Sequence, residues 1–141
     1  KKELNAFLKE HTAVNAFTFG PALVKDGEVQ TIYNNYGFAP QDRAPRVGIG
    51  QMGPLEYVLV VVDGRQEGYS RGISIKKLAE FMGDLGCQQA FNLDGGGSAT
   101  MVFGGKCFNN VSGNSERNIS DIIYFASAVP ESVWQNAGKQ E

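Results

Sequence analysis

"EYVLVVVDGRQEGYSRGISIKKLAEFMGDLGCQQAFNLDGGG", residues 56–97, carries the pattern that decides the fold. Its first seven residues form a continuous apolar run ending at Asp63-Gly64, the pattern of a strand buried on both faces. Ser74 can then cap a helix whose apolar positions Ile75, Leu78, Ala79, Met82 and Leu85 recur at helical spacing, and Gly86 can end it. Lys77 stands where a capping box would place Glu, so the start signal is incomplete. "QQAFNLD" reads as a second buried strand ending at Asp94. A helix connecting two strands usually makes them parallel, with both carboxyl ends at one edge of the sheet. Asp63 and Asp94 are therefore expected side by side where ligands of α/β sheets commonly bind, ~5 Å apart on adjacent strands or ~10 Å with one strand between.

Upstream, Leu4, Phe7 and Leu8 predict a short amphipathic helix over residues 2–10, with His11, the single histidine, in a helix-end or surface role. "AFTFGPALVKDGEVQTIY" predicts two strands about the Asp26-Gly27 turn, and residues 34–45 read as loop. Gly48, Gly50 and Gly53 match a dinucleotide fingerprint on paper, but Pro54 and a strand follow where the fingerprint needs a helix N-terminus, so a glycine-rich hairpin is expected. Downstream come a hairpin about Gly104-Gly105, a polar loop, and a strand "ISDIIYFASAV" over 119–129. The expected class is mixed α/β (α+β): a central mixed sheet containing a parallel strand-helix-strand crossover, flanked by hairpins.

Composition narrows the function. With 13 basic and 15 acidic side chains the net charge is −2, without a basic block, which argues against nucleic acid as a partner. No apolar run approaches the ~18 residues that suggest membrane insertion. Cys87 and Cys107 are too few and too far apart to suggest a metal site and read as buried or free thiols.

The chemistry concentrates at the expected sheet edge. Three consecutive glycines, Gly95, Gly96 and Gly97, let main-chain N–H groups converge on an anion or let a sugar ring approach the backbone, with the Asp94 carboxylate at the rim. Asp63 and Asp94 suggest the paired carboxylates of glycoside hydrolysis, and Glu116 adds a third acid. Arg65 and Arg117 can hold a phosphodiester bidentately; Arg46 and Arg71 are weaker candidates. Ser98 is better placed to hydrogen-bond a ligand than to act as a nucleophile, because the one histidine is remote in sequence. Tight turn chemistry for Asp63-Gly64 and surface ion pairing for the arginines remain the alternatives. A hard divalent cation shared by Asp63, Asp94 and Glu116 also stays open, and no other cofactor is indicated.

Four motifs occur in order: "FTFGPALVKDG" (17–27), "VVDGRQ" (61–66), "NLDGGGSATM" (92–101) and Glu116-Arg117 before a strand. Over about residues 17–125 this arrangement resembles the phosphodiester glycosidase family. The resemblance implies hydrolysis of a sugar-1-phosphodiester, releasing a free sugar such as N-acetylglucosamine and a phosphomonoester. It assigns Asp94, Glu116 and Asp63 to catalysis, and Arg65, Asn92, Gly95, Gly96, Gly97, Ser98, Thr100 and Arg117 to binding the sugar-phosphate or glycan substrate. A secreted or cell-envelope location is implied too. Family domains extend upstream of a segment like "FTFGP", so residues 1–130 are expected to be the carboxyl-terminal part of a larger domain, with 131–141 a tail. Val111-Ser112 stands where the family often has Pro-Ser. The runner-up is a non-catalytic binding module for envelope glycans or phosphoglycans.

Overall fold

A computed structural model describes residues 1–113 and 115–126. Its centre is a five-stranded sheet with β1 at Ala22–Lys25, β2 at Glu28–Val29, β3 at Arg46–Gly53, β4 at Glu56–Val62 and β5 at Gln89–Leu93. The spatial order is β2-β1-β5-β3-β4. Two helices, α1 at Lys2–Glu10 and α2 at Ile75–Asp84, and a two-stranded hairpin, β6 at Val102–Phe103 and β7 at Lys106–Cys107, complete the described elements.

The local signals act as their chemistry requires. Asp26 and Gly27 take φ of +52° and +80°, the left-handed pair that lets a two-residue turn follow the strand twist between β1 and β2. Gly104 and Gly105 do the same between β6 and β7. Ser74 caps α2 by accepting from the Lys77 main-chain N–H, and Gly86 just past the helix has φ +86°. Ile75, Leu78, Ala79 and Met82 point from α2 into the sheet and are fully buried, joining Leu23, Val24, Cys87 and Ala90 in the core.

Gly48 and Gly50 explain how the helix sits so close. Gly50 pairs with Val58 on one side and Ala90 on the other. A Cβ at Gly50 would lie 2.5 Å from the Cys87 sulfur and 2.7 Å from Met82 Cε. The glycine-rich run is therefore a strand surface on which α2 rests, in the hairpin expected from sequence.

Three expectations are corrected. The sheet is antiparallel in every ladder, not mixed. β3 lies between β4 and β5 and runs opposite to both, so the two strands joined by α2 share a direction without pairing. A helical crossover implies that the strands it joins share a direction; it does not report which hairpin strand slips between them. Second, "EYVLVVV" is an edge strand among the described residues, not one buried on both faces, and Tyr57 and Leu59 are exposed. Third, residues 119–126 form no strand. Residues 127–129 of that expected strand, and the tail, lie outside the described residues.

α1 forms as its spacing predicts, yet none of its residues is buried. Leu4, Phe7 and Leu8 stay exposed, and His11 packs its ring against Phe7 at 4.4 Å between centroids. Cys87 is buried and Cys107 exposed, both as free thiols.

Candidate functional site

After β5 the chain turns through Asp94 and Gly95 into a single 3-10 turn, Gly96–Ser98. The turn is pressed onto the start of β3: Gly96 N donates to Pro45 O at 2.9 Å, and a Cβ at Gly95 would lie 2.5 Å from that same oxygen. Gly95 is thus required by main-chain packing. Gly96, at φ +59°, sits beneath the Arg65 guanidinium, whose Nη1 is 3.1 Å from where a Cβ would stand. Arg117 Cδ is 3.7 Å from the corresponding position at Gly97. Two arginines from separate parts of the chain therefore cover adjacent glycines of one turn.

Arg65 reaches this place through an unusual backbone. Its own φ is +57°, uncommon for a residue with a side chain. The preceding Gly64 is buried where a Cβ would meet Pro45 N at 2.7 Å and Gly72 Cα at 2.8 Å. The Asp63-Gly64-Arg65 corner is thereby wedged against residues 44–45, the segment that also supports the glycine turn.

Asp63 has a different environment from Asp94. Its carboxylate accepts from Asn109 Nδ2 at 2.9 Å, from Asn110 N at 3.0 Å and from the Tyr69 hydroxyl at 2.9 Å. Burial pushes its pKa upward, but the three donors outweigh burial and leave it below the usual aspartate value. The same contact raises the Tyr69 phenol. Asn109 was not singled out by sequence. Besides Asp63 it donates to Ala99 O at 3.0 Å and accepts from Met101 N at 2.6 Å, tying the Asp63 corner to the chain leaving the glycine turn. Asp94 and Glu116 are exposed and engaged by no ion pair among the described residues. With β3 between their strands, Asp63 and Asp94 stand about two strand spacings apart, roughly 10 Å.

Arg46 also gains importance. It is 7% exposed, and its Nε and Nη2 donate to Ile73 O at 3.1 Å and Asp42 O at 2.7 Å. Burial first, and Arg65 second, lower its pKa, with Asp42 opposing. Among the described residues no carboxylate forms an ion pair with it, so it adds a buried positive charge beside the turn. In the sequence it was only a weaker phosphodiester candidate, with no pattern to announce its burial.

The other predicted residues divide. Ser98 has a buried Oγ with no hydrogen-bond partner, beside the turn. Thr100 is half-buried just beyond it. Asn92 is 1% exposed, and its Nδ2 donates to Gly20 O at 2.8 Å, so it clamps the 19–21 segment to β5, while its Oδ1 is buried without a hydrogen-bond partner. No three His, Cys, Asp or Glu side chains group as a metal site among the described residues, so Asp63, Asp94 and Glu116 do not form the shared cation cage left open above. No helix there is long and apolar enough to cross a membrane.

A family model described as phosphodiester glycosidase matches residues 4–126. The SPbeta prophage-derived uncharacterized protein YomE of Bacillus subtilis is 37% identical over 111 residues, which cover 79% of this chain and 17% of that protein. N-acetylglucosamine-1-phosphodiester alpha-N-acetylglucosaminidase of Bos taurus is 38% identical over 74 residues, covering 52% of this chain and 14% of the bovine one. The chain thus spans less than a fifth of the length of these curated relatives. Among solved structures, the zebrafish N-acetylglucosamine-1-phosphodiester alpha-N-acetylglucosaminidase catalytic domain, auto-inhibited by its pro-peptide, aligns with a TM-score of 0.55 at 28% identity. That alignment covers 64% of this chain and 33% of the zebrafish one.

Proposed function

The chain belongs to the phosphodiester glycosidase family, and we propose that it hydrolyses a sugar-1-phosphodiester at the bond between the anomeric carbon and the phosphate oxygen. The observation that carries this reading is the pair of arginines, Arg65 and Arg117, set over consecutive glycines next to the free Asp94 carboxylate. A phosphodiester presents anionic oxygens that planar guanidinium groups bind in pairs. Glycines at 96 and 97 keep the floor of that site low enough for a sugar or phosphate to approach.

In this mechanism water adds to the anomeric carbon while the C–O bond to phosphate breaks, giving free sugar and a phosphomonoester. The departing group has a second pKa near 6, so it leaves with little protonation. One carboxylate can then suffice, taking the proton of the attacking water; Asp94 and Glu116 are the candidates. Arg65 and Arg117 hold the phosphate, with Arg46 reinforcing the field from beneath. Ser98 and Thr100 orient the substrate. Asp63 and Asn92 act by holding the corner and the strand in place. Glycan substrates fit a secreted or cell-envelope setting.

The test is release of free sugar and phosphomonoester from a panel of sugar-1-phosphodiesters, N-acetylglucosamine derivatives included. Asp94→Asn is expected to lower turnover by about 10²–10⁴-fold, the usual worth of a general base, with an unchanged circular dichroism spectrum. Retained turnover would move the role to Glu116. Substrate binding without turnover across the panel would replace hydrolysis by a glycan-binding function.

A further inference from the structure

Three aromatic rings line up beside the buried guanidinium of Arg46. Phe38 stacks on Phe19 at 5.6 Å between centroids and on Tyr36 at 5.9 Å, with ring planes inclined by 27° and 26°. Arg46 Cζ lies over Phe38, 6.0 Å from the ring centre. The rings thus form an offset stack, an arrangement that the ring quadrupole favours. Phe38 packs against the core, whereas Phe19 is 51% exposed.

Strand pairing places this stack beside Asp94. Val47 of β3 pairs with Leu93 of β5, so Arg46 and Asp94 occupy the next positions on neighbouring strands. On the other side of β5, Gly20 N donates to Asn92 O at 3.1 Å and Asn92 Nδ2 donates to Gly20 O at 2.8 Å, which brings Phe19 to the same end of the strand. Phe38 lies against Phe19 on the β1 side and against Arg46 on the β3 side, and therefore spans the end of β5. Along the sheet edge the order is Arg65 after β4, Arg46 at the start of β3, Asp94 after β5 and Phe19 before β1.

The backbone at Phe19 is an independent sign that the ring is placed for use. Its φ is +120°, a region that costs a residue with a side chain about 1–3 kcal/mol. Burial does not offset that cost, because the residue stays half-exposed.

We propose that Phe19, backed by Phe38 and Tyr36, is the stacking surface for the sugar ring of the substrate. Its orientation rests on the hydrolytic reading, which sets the anomeric carbon at Asp94 and the phosphate at Arg65 and Arg117. With the phosphate directed toward the end of β4, the sugar extends toward β1, where Phe19 stands, and the alcohol beyond the phosphate points away from it. A pyranose with equatorial hydroxyls presents its axial C–H bonds as an apolar face with slightly positive hydrogens, which matches the negative face of an aromatic ring. The stack therefore favours a diester carrying such a pyranose over a diester of two simple alcohols.

The test measures binding with two probes. One is the methyl ester of the C-phosphonate of N-acetylglucosamine, whose carbon–phosphorus link resists hydrolysis; the other is methyl propylphosphonate, with the same anion and no sugar. Phe19→Leu is expected to weaken the sugar probe by about 2–10-fold, the worth of one aromatic contact, and to leave the propyl probe unchanged. Phe19→Tyr, which keeps the ring, is expected to bind both as the unmodified protein does. Saturation-transfer NMR on the unmodified protein should show transfer from aromatic protons to the sugar ring protons. Equal weakening of both probes, undiminished sugar binding in Phe19→Leu, no such transfer, or a sugar probe that binds no better than the propyl one would each overturn the assignment. Phe19-dependent sugar binding without turnover of any diester would remove the hydrolytic reading and keep the stacking surface. Hydrolysis of sugar diesters that is indifferent to Phe19→Leu would do the reverse.

Discussion

Gly50 in β3 and Gly96 in the turn after β5 both leave room that a side chain would fill, but what occupies that room differs. Above Gly50 are Cys87 and Met82, side chains of the sealed core. Above Gly96 is the terminal guanidinium of exposed Arg65. The first vacancy sets the distance between α2 and the sheet. The second keeps a solvent-facing cation close to the backbone. A packed core does not yield to an extra methyl group, whereas the end of an arginine can swing aside. Gly50 thus belongs to stability, while Gly96 belongs to recognition under the proposed function, with Gly95, wedged on Pro45 O, falling on the stability side of the same turn.

Substituting the two glycines tests that contrast most severely. Gly50→Ala should destabilise the chain by about 1–3 kcal/mol, the usual cost of overpacking, measured as a lower urea midpoint at unchanged slope. Cys87→Ala in the same chain should recover part of the loss; strict additivity would break the account of Gly50. Gly96→Ala should cost about 1 kcal/mol of stability, for a side chain at positive φ, and should displace Arg65. Its signature is weakened binding of a sugar-1-phosphodiester beyond what that small loss of stability explains. Equal stability losses at both glycines would erase the distinction.

Acid titration probes the corner beside the turn. The pKa of Asp63 in the folded protein lies below its unfolded value of about 3.9, so its stabilising contribution is complete above that value and is lost as pH falls through the folded one. Unfolding followed from pH 5 downward should therefore show a shallower loss of stability in Asp63→Asn than in the unmodified protein. Matching slopes would mean that the three hydrogen bonds do not favour the ionised carboxylate. The smallest effect on stability is expected at Ser98. Its Oγ is buried without a partner, so Ser98→Ala should change stability by no more than about 0.5 kcal/mol, or raise it slightly. Lower affinity for substrate in that variant would place Ser98 on the recognition side of the comparison, and unchanged affinity would remove it.

Much of this was legible without coordinates wherever the cause is local. Asp26-Gly27 and Gly104-Gly105 are turns because two residues at positive φ match the strand twist. Ser74 and the spacing of Ile75, Leu78, Ala79 and Met82 mark α2 because capping and periodicity act within a few residues. The ordered motifs pointed to the family, and the family model matches residues 4–126. Asp63 and Asn92 show the limit: an aspartate at a strand end and an asparagine beside a glycine run read as site residues. Apart from Tyr69, six residues on from Asp63, their hydrogen-bond partners Asn109, Asn110 and Gly20 lie far along the chain, where no local pattern announces them.

By itself, then, the sequence determined both helices, the strands from 22 to 107 and their turns, since these follow from side-chain period and backbone conformational freedom, but not the strand expected from residue 119. Tertiary structure alone decided that β3 separates β4 from β5, that an apolar run became a sheet edge, and that Arg46 lies buried beside the turn. Those outcomes depend on which surfaces meet after the chain has folded back, and an apolar run or an isolated arginine is compatible with several such meetings.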